Sequence, residues 1–234
     1  MSSLTTRRIK LIFFDMEGPI FESGVVETRA KVSASLWTAL AEHLGPKCLA
    51  EEDKTKQKWM KGKYRNYFEW MEDTLKIYQK YGLDQQFFNK VIKNAKYVSG
   101  VKETIKELRR RGYAIAMVTG GFKNLANRAV VELGIHHVYA AAELFFDEKT
   151  KKLASWNLLP TDYERKVDFM RVMMEEHGFT KEECAFVGDG VNDIPLAKAA
   201  GFSIAFNGRK ELQAVADVAV NQRVKNLRAI LKYF

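Results

Sequence analysis

The sequence has few of the features that mark secreted or membrane-bound proteins. Its 234 residues include only two cysteines, Cys48 and Cys184, which lie far apart in the chain. Because Cys184 falls in an apolar run, we expect a buried thiol and a reducing, cytoplasmic setting. No apolar run approaches the length of a membrane span, and none precedes the first strand as in a secretory signal. We therefore expect no membrane partner.

Acidic residues are in the minority. The 38 lysines and arginines outnumber the 29 aspartates and glutamates, which gives a net charge of +9. Such an excess suits anionic partners, among them phosphorylated metabolites and nucleic acid. Six basic residues without an intervening acid lie between Lys54 and Arg65, with Trp59 and Tyr64 among them. A solvated surface is the simpler interpretation of this run, and nucleic-acid binding is the alternative.

Three short apolar runs have the pattern of strands that are buried on both faces. They are Leu11–Phe14, Tyr113–Val118 and Glu183–Val187. Each run ends on a polar, glycine-bearing turn: Asp15-x-Glu17-Gly18, Thr119-Gly120-Gly121 and Gly188-Asp189-Gly190-x-Asn192-Asp193. Parallel strands place such turns along one edge of the sheet, which is where ligands bind in open α/β folds.

Between the first two of these strands lies a long segment without a convincing strand. Apolar residues recur there at helical spacing in three successive stretches. The sequence therefore predicts an α/β fold, with a Rossmann-like doubly wound parallel sheet formed by residues 1–21 and 98–234. Residues 22–97 are predicted to form an inserted α-helical domain.

Three local patterns in the second half of the chain predict further elements. Residues 139–146 and 153–156, joined by a polar turn, have the pattern of a β-hairpin. The segment Thr161–Glu164 has the spacing of a capping box, which predicts a helix to about His177. Residues 226–233 are predicted to form a terminal helix.

The acids of the first and third turns favour a metal site. Asp15, Asp189 and Asp193 would repel one another if they came together without a counter-charge. A hard divalent cation resolves such repulsion, and Mg²⁺ prefers oxygen ligands of this kind. The sequence therefore predicts Mg²⁺ as the cofactor.

The remaining polar groups suit a phosphoryl group. Thr119 offers a hydroxyl, while Gly120 and Gly121 offer backbone N–H groups that no Cβ shields. Lys166, near the start of its predicted helix, adds a positive charge. Together with Asp15 these groups indicate transfer of a phosphoryl group from a monoester to an aspartate.

The three turns also resemble those of a known family. The segments Met117–Phe122 and Val187–Asp193, with Lys166 upstream of Asp189, are similar to motifs of the haloacid dehalogenase superfamily of phosphohydrolases. These two segments and the ending Asn226–Phe234 resemble its phosphoserine phosphatase branch in particular. That branch carries a helical cap between its first and second motifs, in the position of residues 22–97.

The resemblance implies a role for each residue of the first turn and its partners. Asp15 is implied to be the nucleophile that forms an aspartyl-phosphate. Glu17 is implied to protonate the leaving alcohol, to activate water, and to touch the metal through its backbone carbonyl. Thr119 and Gly120 would bind the transferring phosphoryl group, and Lys166 would balance its charge.

The third turn is implied to serve the metal. Asp189 would ligate Mg²⁺ directly, Asp193 would hold a metal-bound water, and Asn192 would support the loop and the substrate. Two features depart from the family pattern. Glu17 stands where the family usually has a second aspartate, and Pro19 replaces a residue with a hydroxyl. General acid–base catalysis contributes ~10²–10⁴-fold to the rate of a reaction. The rate therefore depends on how the longer Glu17 side chain orients its carboxyl group.

The cap offers no clear match to the acid and base that hold the amino acid in phosphoserine phosphatases. Glu22, Glu27 and Arg65 are candidates for this pair by residue type alone.

Three functions follow from these observations. The first is a Mg²⁺-dependent phosphatase of a small phosphomonoester, with phosphoserine as the first substrate to try. The second is a phosphotransferase that delivers the phosphoryl group to an alcohol acceptor. The third is a nucleic-acid-binding or ligand-binding protein on the same scaffold. No pattern in the sequence indicates an oligomeric state.

Overall fold

A mostly parallel sheet organises the part of the chain that the computed structural model describes, residues 9–22 and 35–234. Its strands are β1 (Leu11–Phe14), β2 (Ala114–Phe122), β3 (His137–Phe146), β4 (Leu153–Leu158), β5 (Cys184–Gly188), β6 (Phe202–Phe206) and β7 (Val218–Val220). They are ordered β4-β3-β2-β1-β5-β6-β7, and only β4 runs antiparallel to its neighbour among them. The predicted α/β class with a doubly wound sheet is confirmed.

Helices alternate with the strands along most of the described chain, as in a doubly wound fold. They are α1 (Leu36–His43), α2 (Pro46–Met60), α3 (Tyr67–Lys80), α4 (Gln85–Asn94), α5 (Val101–Arg110), α6 (Lys123–Leu133), α7 (Lys166–His177), α8 (Ile194–Ala199) and α9 (Lys210–Gln213). None of the helices within the described residues has both the length and the apolar content that crossing a membrane requires.

The short strand β1 lies at the centre and is buried on both faces. Ile12 and Phe14 pack into the apolar cluster on one face of the sheet, and Leu11 and Phe13 pack into the cluster on the other. Alternate residues of a strand point to opposite faces, so an unbroken apolar run is what such a position demands.

The strand β1 also sits where the winding of the chain reverses. It pairs with β2 on one side and with β5 on the other, so that Phe14 lies beside both Met117 and Val187. The loops that follow these three strands therefore meet at the carboxyl edge of the sheet, at the topological switch point.

The segment that was predicted to be helical forms α1 to α4 where it is described. Hydrogen bonds tie these helices to the sheet and to each other. For example, Trp37 Nε1 donates to the carbonyl of Gly120 (3.0 Å), and the Tyr78 hydroxyl donates to the carbonyl of Trp37 (2.7 Å). The first part of the predicted segment, residues 23–34 with Glu27, lies outside the described residues. The boundaries of a cap domain at residues 22 and 97 stay a prediction.

One local prediction was confirmed, one was right in part and one was wrong. The hairpin exists as the antiparallel pair β3 and β4. The helix predicted after Thr161–Glu164 ends at His177 as expected, but it begins differently. The capping box does not form, because the Thr161 hydroxyl donates to the carbonyl of Thr119 (2.6 Å) instead of capping a helix. A 3₁₀ turn precedes α7, which begins at Lys166. The terminal segment Leu227–Tyr233 is also 3₁₀ rather than α-helical. Its buried Leu227 and Ile230 are three residues apart, which matches the three-residue turn.

Candidate active site

A buried lysine connects the first and third loops. Lys166, at the start of α7, has no exposed surface, and its Nζ donates to Asp15 Oδ1 at 2.8 Å and to Asp193 Oδ1 at 2.6 Å. Asp162 Oδ1, one helical turn earlier, lies 3.6 Å from the same nitrogen. Burial opposes the charge of Lys166, but these three carboxylates outweigh it and raise the pKa of the lysine well above its ordinary value. Lys166 therefore stays cationic and fixes the carboxylate of Asp15.

The acids around this lysine form a donor set for a metal ion. Oxygens of Asp15, Asp189 and Asp193 all lie within 4.8 Å of one another. Burial raises the pKa of Asp15, and the charges of Asp193 and Asp189 raise it further against the pull of Lys166. Burial, with the charge of Asp193, raises the pKa of Asp189 to about 7. Neighbouring carboxylates raise one another's pKa values, and a bound divalent cation stabilises their ionised forms. The donor set therefore fits such an ion.

The carboxylate of Asp193 already accepts three hydrogen bonds. Its Oδ2 accepts the backbone N–H groups of Asp189 and Gly190, both at 2.9 Å, while Oδ1 accepts from Lys166. These three donors hold the loop after β5 in place. Asp15 and Asp189 are therefore the acids with more capacity left for a cation.

Gly18 makes the close approach of the two loops possible. Its φ of +114° is a backbone conformation that side chains with a Cβ rarely adopt. A Cβ at this position would also overlap the carboxylate of Asp189. The glycine of the first loop is thus required by the acid of the third.

Glu17 is partly buried at the edge of the cavity that the three loops and the helices enclose. Its Oε2 accepts the backbone N–H of Leu36, the first residue of α1, at 3.0 Å. Burial raises the pKa of Glu17 to about 7 and the charge of Asp162 adds to this, whereas the Leu36 hydrogen bond and Lys166 lower it. A carboxyl group with this pKa can both give and take a proton near neutral pH.

The second loop presents a hydroxyl to the same cavity. The side-chain oxygen of Thr119 accepts the backbone N–H of Gly121 at 3.0 Å, which leaves its proton available for another acceptor. The Thr119 carbonyl accepts from Thr161, and the Gly120 carbonyl accepts from Trp37, so both peptide planes are held. The pairing of β2 with β3 shifts register between Thr119 and Phe122, which turns the two glycines out of the regular ladder.

Asp162 is a site residue that sequence reasoning missed. It is 7% exposed and accepts a hydrogen bond from Asn192 Nδ2 at 2.7 Å. Burial raises the pKa of the Tyr67 hydroxyl of α3, and Asp162 lies close enough to raise it further. Burial raises the pKa of Asp162, against Lys166 and the Asn192 hydrogen bond. An acid four residues before Lys166 was the available signal, but it was interpreted as part of a capping box.

Of the three cap candidates, Glu22 and Arg65 do not line the cavity, and Glu27 lies outside the described residues. Glu22 is exposed, and its backbone N–H donates to the carbonyl of Lys96. Arg65 is also exposed and faces Glu69, with 3.5 Å between Nε and Oε2. The acid and base that do line the cavity from the helices are Glu52 and Lys56 of α2.

Comparison with known proteins places this arrangement in a class. The sheet, the loops at its switch point and the lysine-bridged acids are those of an α/β phosphohydrolase, and residues 9–201 match the family described as haloacid dehalogenase-like hydrolase. The chain belongs to this family. The resemblance predicted from the motifs, including the phosphoserine phosphatase branch, is thereby confirmed.

Individual relatives are phosphoserine phosphatases. The chain is similar to that of Methanocaldococcus jannaschii, with 35% identity over 144 residues that cover 62% of this chain and 66% of the relative. It is also similar to that of Archaeoglobus fulgidus, with 26% identity over 232 residues that cover 98% of this chain and 62% of the relative. The alignments thus span just under two thirds of the length of these relatives.

A solved structure described as a phospho-aspartyl intermediate analogue of phosphoserine phosphatase superposes with a TM-score of 0.73. It is 28% identical and covers 97% of this chain and 99% of its own. A substrate-bound phosphoserine phosphatase complex gives a TM-score of 0.72 at 28% identity and 97% coverage of this chain.

Proposed function

We propose that the protein is a magnesium-dependent phosphatase that hydrolyses a small phosphomonoester through an aspartyl-phosphate on Asp15. The observation that carries the proposal is the contact between Lys166 Nζ and Asp15 Oδ1, because Asp15 lines the same cavity as Thr119 and Asp189 while Lys166 is buried behind it. A carboxylate that faces a cavity and is held by a buried ammonium is suited to nucleophilic attack. The names of the similar phosphoserine phosphatases support the same chemistry.

In the first step a carboxylate oxygen of Asp15 attacks phosphorus. The new O–P bond forms as the bond between phosphorus and the alcohol oxygen breaks, and the leaving oxygen takes the proton of Glu17. The Thr119 hydroxyl binds a phosphoryl oxygen during the transfer, and the Lys166 ammonium, held on Asp15, offsets the negative charge. The alcohol leaves in its neutral form, and Glu17 is left as a carboxylate.

In the second step water attacks the same phosphorus. Glu17 takes the proton of that water as the new bond forms, and the bond between phosphorus and Asp15 breaks. Inorganic phosphate is released with Asp15 and Glu17 in their starting states. The pKa of Glu17, about 7, suits both directions of this proton transfer.

Two groups of residues manage the negative charge. Mg²⁺ held by Asp15 and Asp189, with Asp193 beside them, would offset the charge of the phosphate and of the acids themselves. Arg209 and Lys225 also line the cavity, and they provide a positive rim that attracts anions.

The test is hydrolysis of p-nitrophenyl phosphate with and without Mg²⁺. Asp15→Asn is expected to lower kcat by ~10³-fold or more, since it removes the nucleophile. The matched control is Asp168→Asn, because Asp168 pairs only with Arg165 and Arg171 on the surface and does not line the cavity. Hydrolysis that persists in Asp15→Asn, or that does not depend on a divalent cation, would overturn the proposal.

The alternative functions have separate outcomes. A phosphotransferase would release less inorganic phosphate than the substrate it consumes when an alcohol acceptor is added. The nucleic-acid alternative relied on Trp59 and Tyr64, but the Trp59 ring stacks on Trp70 and the Tyr64 hydroxyl donates to Asp73. The rings are therefore engaged within the helices.

The cytoplasmic setting stays a prediction.

A further inference from the structure

The cavity is bounded on its helical side by aromatic rings. Trp37 of α1, Tyr67 and Trp70 of α3 and Tyr163 before α7 all line it, together with Met71. We call these five residues the aromatic wall. The cavity volume is about 580 Å³, which is within the range of sites for drug-sized ligands of ~300–1,000 Å³.

The indole N–H groups of the wall are already engaged. Trp37 Nε1 donates to the Gly120 carbonyl, and Trp70 Nε1 donates to Thr55 Oγ1 at 3.0 Å. The ring surfaces of these two tryptophans are therefore what they can offer to a ligand.

The rings are also fixed by their neighbours. Trp70 stacks on Trp59 with 5.2 Å between ring centroids and 8° between planes, and Tyr67 meets Trp70 edge-on at 5.5 Å. The ring centroids of Tyr163 and Tyr67 lie 5.8 Å apart. A ligand that docks on a preformed surface of this kind does not have to order it first.

The charged pair on the same side is internally neutralised. Glu52 is 1% exposed and its Oε2 accepts from Lys56 Nζ at 2.8 Å, while the same nitrogen donates to Thr38 Oγ1 at 2.9 Å. Apart from Tyr67, these are the ionisable side chains that line the cavity among the described residues of α1 to α4. Within the described part of the chain, the helical side of the cavity therefore presents no unpaired charge to the ammonium or the carboxylate of a phosphorylated amino acid.

We propose that the natural substrate is a phosphomonoester of an alcohol that carries a planar aromatic or heteroaromatic ring, and that the ring stacks on the aromatic wall. This inference rests on the proposed phosphatase function and specifies its leaving group. Stacking of a planar ring on protein aromatics is worth roughly tenfold to hundredfold in binding.

The test compares ethyl phosphate with 2-phenylethyl phosphate, which share the primary alkoxide that must leave and differ in the ring. We expect kcat/KM for 2-phenylethyl phosphate to exceed that for ethyl phosphate and for phosphoserine by about tenfold or more. Trp70→Ala should reduce the ratio between the two alkyl esters to near unity, and Trp70→Phe should restore most of it. Trp156→Ala, in β4 and outside the cavity, is the matched control that keeps the ratio.

The outcomes separate the two proposals. Hydrolysis with equal kcat/KM for both alkyl esters, a preference for phosphoserine, or a ratio that survives Trp70→Ala would overturn the ring site and leave the phosphatase function intact. Calorimetric binding of both esters to Asp15→Asn reports ring preference without turnover. Ring-selective binding by a protein that hydrolyses no ester would overturn the proposed function and retain the ring site, and neither binding preference nor hydrolysis would overturn both.

Discussion

The two sides of the cavity are built by different forces. On the sheet side, Lys166, Asp15 and Asp193 hold one another by charge-assisted hydrogen bonds in a buried setting. On the helical side, the aromatic wall is held by ring packing and by hydrogen bonds that leave its faces apolar. The difference teaches that the proposed chemistry and the proposed ring site depend on different forces, so that they can be tested by separate substitutions.

Replacing Lys166 by methionine is expected to have the largest effect on the sheet side. It leaves Asp15 and Asp193 buried without their counter-charge, and breaking a buried ion pair in this way costs ~3–5 kcal/mol. Urea unfolding without metal measures the free energy of unfolding.

Lys123→Met is the matched control, because Lys123 forms an exposed ion pair with Glu143 that is worth about 1 kcal/mol or less. A loss for Lys166→Met no larger than that for the control would show that charge does not hold this side together.

The stabilisation of the sheet side by Mg²⁺ is expected to depend on pH, which the aromatic wall gives no reason to expect. Without metal, the raised pKa values of Asp15 and of Asp189, about 7, mean that the folded state binds more protons than the unfolded state. These two acids therefore favour folding more as the pH falls below about 7, and they oppose it at higher pH. Mg²⁺ needs the ionised acids, so the rise in Tm that it causes should be larger at about pH 8 than at about pH 5.

Thermal unfolding with and without Mg²⁺ at the two pH values measures this difference. Asp189→Asn should remove most of it, whereas Asp168→Asn should preserve it. A Mg²⁺-induced rise in Tm that is the same at both pH values would contradict the assignment of these acids to the cation.

Tyr67→Phe is expected to give a smaller effect, because it removes a polar interaction between the two sides. The hydroxyl interacts with the buried Asp162, and such an interaction contributes at most the ~1.5–3 kcal/mol of a hydrogen bond to a charged group. Tyr64→Phe removes a more exposed contact of the same type, with Asp73, and should cost less.

A double-mutant cycle of Tyr67→Phe with Asp162→Asn measures the coupling free energy directly. A coupling near zero would show that the contact between Tyr67 and Asp162 does not help to join the two sides.

Much of the sheet side could be predicted from the sequence. Unbroken apolar strands that end on acids or on glycines place Asp15, Thr119 and Asp189 along one edge, because parallel strands have only one carboxyl edge. The placement of Lys166 beside Asp15 also followed from the resemblance to the haloacid dehalogenase family. Asp162 escaped prediction because its spacing to neighbouring residues fits a helix cap as well as it fits a site.

The helical side could not be predicted to the same degree. An amphipathic helix reveals which face is buried, but not whether that face meets the core or a cavity. Glu52 and Lys56 lie on α2 among exposed charges, so sequence spacing did not distinguish them from a solvated surface. Arg65 and Glu22 were chosen by residue type, which carries no information about direction.

The contact between Gly18 and Asp189 has a consequence for engineering. Because the carboxylate fills the space that any side chain at position 18 would need, the first and third loops form one interlocked unit. A loop transplanted from another family member, or a library randomised over residues 15–19, would have to carry its own partner for position 189. Recombination crossovers between these two segments should therefore be tolerated only where the first loop keeps a glycine at position 18.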